Sequence, residues 1–271
     1  MSYILDHMQN NVWRGRFDTF PEDVAVHGIS ARLGGVSQAP YDSLDLGLHV
    51  GDDADAVWQN RQIFFRALGL DAEKIVTPQQ VHGVHVARVS RAEAGRGAHA
   101  YADCIPETDA LITNEPGLPL MLCFADCTPI LFLDPERHAV GIAHGGWKGT
   151  VQRIAQATVL HMEKEFGTDP TDLLVGIGPS IGPCCYEVGE DVAERFQQAF
   201  PGHEGEILSS VDGKPHVNLW QANTQALLDA GVPRANIDRA DTCTSCSHKW
   251  YFSYRADGGK TGRLAAVIGL R

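Results

Sequence analysis

Residues 124–134 read FADCTPILFLD, and 144–150 read HGGWKGT. An apolar, strand-like run does not need an acid and a thiol at its centre. Burying an unpaired charge or a reactive thiol costs stability, so Asp126 and Cys127 point to chemistry rather than packing. Three strand-like runs end on a potential metal ligand: His82 in TPQQVHG, Cys127 in LCFADCTP and His144 in GIAHGGW. Neutral imidazole and thiolate are preferred zinc ligands, and three protein ligands plus one open position make up a catalytic zinc centre. The spacing is not a local ligand signature. Three readings therefore stand side by side: a metal centre, a buried Cys with two hydrogen-bonded His, or a Cys127 nucleophile with His144 or His82 as its base.

The turn after His144 adds a second kind of chemistry. Gly145-Gly146-Trp147-Lys148-Gly149 lies between the end of a strand and the start of a helix near Thr150. A Gly-rich helix entrance leaves backbone N–H groups pointing outward at the positive end of the helix dipole, which suits an anion. Lys148 adds a mobile positive charge and Trp147 a flat face for a base or sugar. The alternative is an ordinary tight turn with a surface Lys and a core Trp. Arg32, before the Gly-Gly of ISARLGGVS, and Arg255, among the aromatics of YFSYRADGGKTGR, carry guanidinium forks suited to phosphate or carboxylate, or else are solvated surface residues. Asp126 orients a neighbouring ligand or caps a turn, and His49 and His85 read as structural or supporting residues. Cys243-x-x-Cys246 has the spacing of half a zinc knuckle or of a redox pair, but no second CxxC accompanies it, and Cys184-Cys185 is too cramped for an easy disulfide. These four are expected to be structural, with Cys104 and Cys123 simply buried.

Strands must carry these residues. VAVHGIS (24–30), VHVARV (84–89), DALITN (109–114), LPLMLCFA (118–125), PILFLD (129–134), HAVGIAH (138–144), LLVGIG (173–178) and RLAAVIGLR (263–271) are rich in β-branched and apolar residues and bounded by turn formers. Helical spacing predicts helices over 55–68, with Gly69 as C-terminal cap, over 150–166, over 189–199, and over 218–230, where Asn218 is the N-cap. Strands outnumber helices, so large mixed sheets flanked by helices are expected, a mixed α/β (α+β) class rather than an alternating doubly wound sheet. The 271 residues, 44% hydrophobic, read as one domain over 1–271 with the first ~20 residues peripheral. A formal charge of −12 argues against a nucleic-acid surface, which needs a clustered Lys/Arg footprint. The N-terminus lacks an export-signal pattern, no segment reaches membrane-spanning length, and seven Cys suit reduced thiols. A cytoplasmic protein acting on a small molecule is expected.

Taken together, ARLGGVS, LGLHVGDD, PQQVHG, DALIT, ADCTPI, AHGGWKGT, IGPSIGPCCYEVG, CT and FSYRADGGKTGR resemble, in order, the signatures of the YfiH-type laccase-domain proteins, from about residue 24 to the C-terminus. These were once labelled multicopper polyphenol oxidases and are now regarded as purine nucleoside phosphorylases. The resemblance implies a layered α-β-β-α sandwich and a zinc site at His82, Cys127 and His144. It implies phosphorolysis of adenosine, inosine, guanosine and methylthioadenosine, with deamination of adenosine, by a monomer or small homo-oligomer. Phosphate would then lie at Gly145, Gly146 and Lys148 with Arg32, and Arg255 beside the nucleoside. The chain departs from the family at Asp45, where Asn is more usual, at Gly145, where Ala commonly follows the His, and at Lys148, where Arg is frequent. Lys keeps the charge but loses the fork. The copper label finds no support in the residues, since none of the twelve His form a His-x-His pair. Two other classes remain for test: a Cys/His hydrolase of an amide bond, for instance in cell-wall precursors, and a non-catalytic nucleotide-binding protein.

Overall fold

The computed structural model describes residues 3–8 and 11–271. The apolar runs form two sheets that share one interior. The first is antiparallel throughout and contains β1 (Tyr3–His7), β2 (Trp13–Phe17), β3 (Ala25–Ser30), β6 (Leu120–Phe124) and β13 (Leu264–Leu270), in the order β1-β2-β3-β13-β6. The second holds β4 (Val86–Arg88), β5 (Ala110–Thr113), β7 (Thr128–Asp134), β8 (Ala139–Gly145), β9 (Leu174–Ile177) and β12 (Ile237–Arg239), in the order β12-β9-β7-β8-β5-β4. Its two outer pairs are parallel and its inner pairs antiparallel. A hairpin of β10 (Leu208–Val211) and β11 (Lys214–Val217) stands apart. Strands β7, β8 and β13 are buried at every position, which is why they read as unbroken apolar runs instead of alternating ones.

The helices close the two outer faces. α1 (Ala54–Leu68) lays Phe64, Phe65 and Leu68 against Val26, Met121 and Val267 of the first sheet. α2 (Trp147–Val151), α3 (Ile154–Phe166), α4 (Glu190–Ala199), α5 (Glu204–Ile207) and α6 (Leu219–Asp229) complete the set, and α3 and α6 cover the second sheet through residues such as Val159, Met162, Ala226 and Leu227. Phe17, Ile29, Leu122, Leu131, Ile142 and Ile268 fill the space between the sheets. The result is the expected α-β-β-α sandwich. Gly69 caps α1 in the left-handed region at φ 70°, and the Asn218 side chain accepts the Gln221 N–H at the start of α6, both as expected.

Several elements differ from the sequence reading. The helix expected over 150–166 begins at Trp147 and is broken at Arg153, which sits in the left-handed region (φ 63°). The Arg153 side chain makes the break tolerable: it pairs with Asp229, donates to Ala199 O at 2.7 Å and stacks over Phe200. β1 and β2, unforeseen in sequence, form the edge of the first sheet and send Phe17 and the following Phe20 into the core. The short pieces β10 to β12 were also missed. All seven cysteines are free, and among the described residues no helix is long and apolar enough to cross a membrane.

Candidate active site

The register of two antiparallel strands brings the first two candidates together. Pro129 of β7 lies opposite His144 at the end of β8, so Cys127, just before β7, faces the start of the Gly145-Gly146 turn. His82 arrives from the loop before β4 in the left-handed region, φ 62°. The ligand atoms of His82, Cys127 and His144 all lie within 4.8 Å of one another, and the two imidazole rings cross edge to face at 4.7 Å. Gly146 explains itself here. A Cβ at that position would stand 2.9 Å from the His82 ring and 3.2 Å from Cys127 Sγ, so glycine leaves the room in which the three side chains converge.

Asp109, immediately before β5, supports the cluster and is fully buried. Its Oδ1 meets His144 Nδ1 at 3.0 Å and accepts the His82 N–H at 2.9 Å, while Oδ2 accepts from Val81 N and Gly83 N at 3.2 and 2.7 Å. One carboxylate thus orients one imidazole and clamps the strained loop bearing the other. Burial would raise the Asp109 carboxyl, but His144 and the loop N–H groups outweigh it and hold it below the ordinary carboxylate value. Burial would likewise push the Cys127 thiol up; His144 and His82 bring it down to about 6. Burial disfavours the His144 imidazolium, but the Cys127 thiolate and Asp109 raise it to about 9. The cluster therefore pairs a ready thiolate with a proton that a divalent cation would displace. Sulfur and nitrogen donors, a carboxylate behind one imidazole and a turn emptied of Cβ atoms fit a zinc ion.

The cluster forms the floor of a cleft of about 540 Å³, within the range of small-molecule sites. Trp147, Ile181, Tyr186 and Tyr254 give it aromatic and apolar walls, and Arg255 and Arg263 give it positive charge. An adjoining recess of about 240 Å³ shares His82, Cys127 and Trp147 and reaches Lys148. Arg255 lies in the wall, as its neighbours in sequence suggested, with its fork also tied to Cys185 O and Glu187 O at 2.9 and 3.0 Å. Arg32 does not line either space. Its guanidinium donates to Asp42 O and His248 O, pairs with Asp257 at 3.5 Å and stacks over Phe252, so its fork is used in holding loops together. Asp126 turns out to be a loop anchor: Oδ1 accepts from Thr244 and Oδ2 from Arg255 N. The Gly145-Gly149 turn opens a helix of only five residues, and the place of Gly145 is set by packing against Thr128 and Asn223. His85 supports the site from outside, with Nδ1 at 2.9 Å from Thr108 and its carbonyl accepting from Asp109 N. Asp109, Tyr186 and Arg263 were missed in sequence; the only signal for Asp109 was an acid immediately before a fully apolar strand.

The family model described as multi-copper polyphenol oxidoreductase laccase matches residues 26–271. The chain belongs to that family. Among its relatives, the purine nucleoside phosphorylase YlmD of Geobacillus stearothermophilus is 41% identical over 248 residues, covering 91% of this chain and 90% of that one. Adenosine deaminase RL5, from an unknown prokaryotic organism, is 35% identical over 229 residues, covering 84% and 87%. The crystal structure of YlmD from Geobacillus stearothermophilus superposes with a TM-score of 0.92 at 40% identity, over 95% of this chain and 96% of that one. The laccase family's name sits poorly with the donors found here. Among the described residues the metal-capable groups are the His82, Cys127 and His144 cluster and a group of four cysteines, and neither offers the many imidazoles of a multicopper centre.

Proposed function

We propose that this protein is a zinc-dependent purine nucleoside phosphorylase that also deaminates adenosine. The observation that carries the reading is the convergence of His82, Cys127 and His144 over a buried Asp109, at the floor of a cleft with aromatic walls and cationic groups. Those three residues would hold the ion, which when bound supplies a Lewis-acidic positive charge with an open coordination position. Everything else falls to the chain. Trp147, Tyr186 and Tyr254 offer faces for a purine, and Arg263, Arg255 and Lys148 attract phosphate and hold it toward C1′ of the ribose. Phosphate replaces the base at C1′, and the base leaves with the electron pair of the N-glycosidic bond. Holding the phosphate anion against C1′ of the nucleoside in fixed geometry lowers the barrier by positioning and electrostatics. The names of the relatives support purine nucleosides, adenosine among them, as the substrate class. Inosine, guanosine and methylthioadenosine are the further substrates to try, and a cytoplasmic setting suits seven free thiols.

The test is product analysis of purified protein incubated with inosine, with and without phosphate and with and without chelator. Hypoxanthine and ribose phosphate formed only when phosphate is present, and lost on chelation, are expected. Untouched inosine and adenosine would overturn the reading. The one feature that favours a Cys/His amide hydrolase instead is the lowered Cys127 thiol, but a lowered thiol is equally what a metal ligand requires. The two separate by alkylation: a nucleophile stays reactive in metal-replete protein, a ligand is protected.

A further inference from the structure

The second group of convergent donors has no part in the chemistry above. Cys184 and Cys185 lie in the loop after β9, and Cys243 and Cys246 in the loop after β12, about sixty residues on. In sequence neither pair completes the other. In the fold the four Sγ atoms all lie within 4.8 Å of one another, with Cys246 Sγ 3.5 Å from Cys184 Sγ and 3.4 Å from Cys185 Sγ. A tetrahedral ion with Zn–S bonds of about 2.3 Å needs sulfurs about 3.8 Å apart, so a small adjustment seats one. The adjacent Cys184 and Cys185 can both face inward because the chain turns tightly there: the N–H groups of Cys185 and Tyr186 both donate to Gly182 O, at 3.0 and 2.9 Å. On the other loop, Cys243 Sγ accepts from Gly182 N at 3.2 Å and from Cys246 N at 3.5 Å. Backbone N–H groups aimed at a sulfur favour its thiolate form, and a CxxC turn that donates one to its own first cysteine is arranged for a metal.

We propose that Cys184, Cys185, Cys243 and Cys246 form a second zinc site, closed and structural, whose four thiolates tie the loop after β9 to the loop after β12. Four soft donors leave no open position for substrate, which separates this site from the three-ligand centre. Each thiol gives up its proton on binding and no electron is transferred. The tie has a purpose in the cleft. Thr244 N donates to Ser180 O, Thr244 Oγ1 to Asp126 and Ile181 N to Asp126 O, so both loops meet at the residue preceding Cys127. Ile181 and Tyr186 form the wall, and Cys185 O and Glu187 O hold the Arg255 fork. A zinc ion here fixes the cleft wall formed by Ile181 and Tyr186, beside Asp126 and Cys127.

The decisive measurement is zinc content together with zinc-edge X-ray absorption on the full chain, purified under reducing conditions with zinc supplied. The Cys127→Ala chain isolates the proposed site, because it lacks the sulfur ligand of the other. One zinc per chain with four sulfur neighbours at about 2.3 Å is expected. Adding Cys184→Ser and Cys246→Ser, both at exposed positions, should remove it. A metal-free Cys127→Ala chain whose four thiols alkylate freely would overturn the proposal. So would a disulfide among the four found by mass spectrometry, or an ion with fewer than four sulfurs. If Cys127→Ala does not accumulate, the comparison of the unmutated chain with Cys184→Ser/Cys246→Ser decides: loss of one zinc equivalent supports the site, and an unchanged count overturns it.

Discussion

Asp109 and Asp45 are both fully buried acids, each bonded to a residue that lines the cleft, His144 and Arg263, and their surroundings treat them in opposite ways. Asp109 faces an imidazole and three backbone N–H groups and is held ionised. Asp45 accepts two N–H groups on Oδ1, from Gly47 and Arg263, while Oδ2 is buried with no hydrogen-bond partner among the described residues. Burial pushes Asp45 up to about 7, the two N–H groups offset only part of this, and Asp52 adds repulsion. The difference teaches where this fold uses buried charge. Beside the ligand cluster a carboxylate is retained because its negative charge faces His144 and a donor set suited to a cation; at the shoulder the same group is a stability cost.

The floor breaks most completely at its sulfur. Cys127→Ala removes the only thiolate among the three donors, and we expect loss of the ion at that centre and of both phosphorolysis and deamination, read by metal content and product analysis. A fully active variant lacking metal at this centre would refute the site. Next comes the support itself. Asp109→Asn keeps the size of the side chain but removes the charge behind His144, and losing such a partner weakens metal binding roughly 10–100-fold. Competition with a chromophoric chelator measures it, and an unchanged affinity would mean that Asp109 serves only to clamp the 81–83 loop. A smaller effect is expected from Gly146→Ala. The backbone there (φ −69°, ψ 163°) accepts alanine, so folding stability should stay within about 1 kcal/mol of the parent, while the new methyl crowds His82 and Cys127. Zinc affinity should fall by less than in Asp109→Asn. Unaltered affinity would show that the ligands have room to move apart.

How much of this was legible in the sequence depends on how far the signal had to travel. His82, Cys127 and His144 stood out because a reactive type beside an apolar run has no packing reason to be there; strand register brings Cys127 to His144, whereas His82 arrives on the loop before β4. The strands of the sandwich were legible for the same reason, as long apolar runs buried on both faces. Arg153 was not, since the helical period runs on through it and only Asp229 and Ala199, far along the chain, make the break acceptable. Arg32 shows the limit of such a reading, because an arginine beside glycines looks the same in sequence whether its fork meets a ligand or, as here, the carbonyls of Asp42 and His248. Asp109 carried a single local mark, an acid just before an apolar strand, which says nothing of the imidazole it faces, and Cys184-Cys185 could not be matched with Cys243 and Cys246 until β9 and β12 were known to be neighbours.

The shoulder yields the smallest change and the sharpest contrast with the floor. Asp45 titrates at about 7 in the folded chain against 3.8 for the free group, so the folded state binds the proton more tightly than the unfolded chain does. Its contribution to stability is therefore fully present below pH ~4 and is lost as pH rises through about 7. Asp45→Asn keeps an acceptor for Gly47 and Arg263 and cannot ionise. The variant should match the parent at pH 5 more closely than at pH 8, where we expect it to be more stable by on the order of 1–2 kcal/mol, below what the full burial penalty would give because the site relaxes. For a chain of this size that corresponds to a rise in Tm of roughly 2–4 °C per kcal/mol. Thermal melts at the two pH values measure it. A gain equal at both would assign the effect to hydrogen bonding instead of charge, and a loss at pH 8 would mean that the Asp45 carboxylate, like that of Asp109, has a cationic partner in the folded chain.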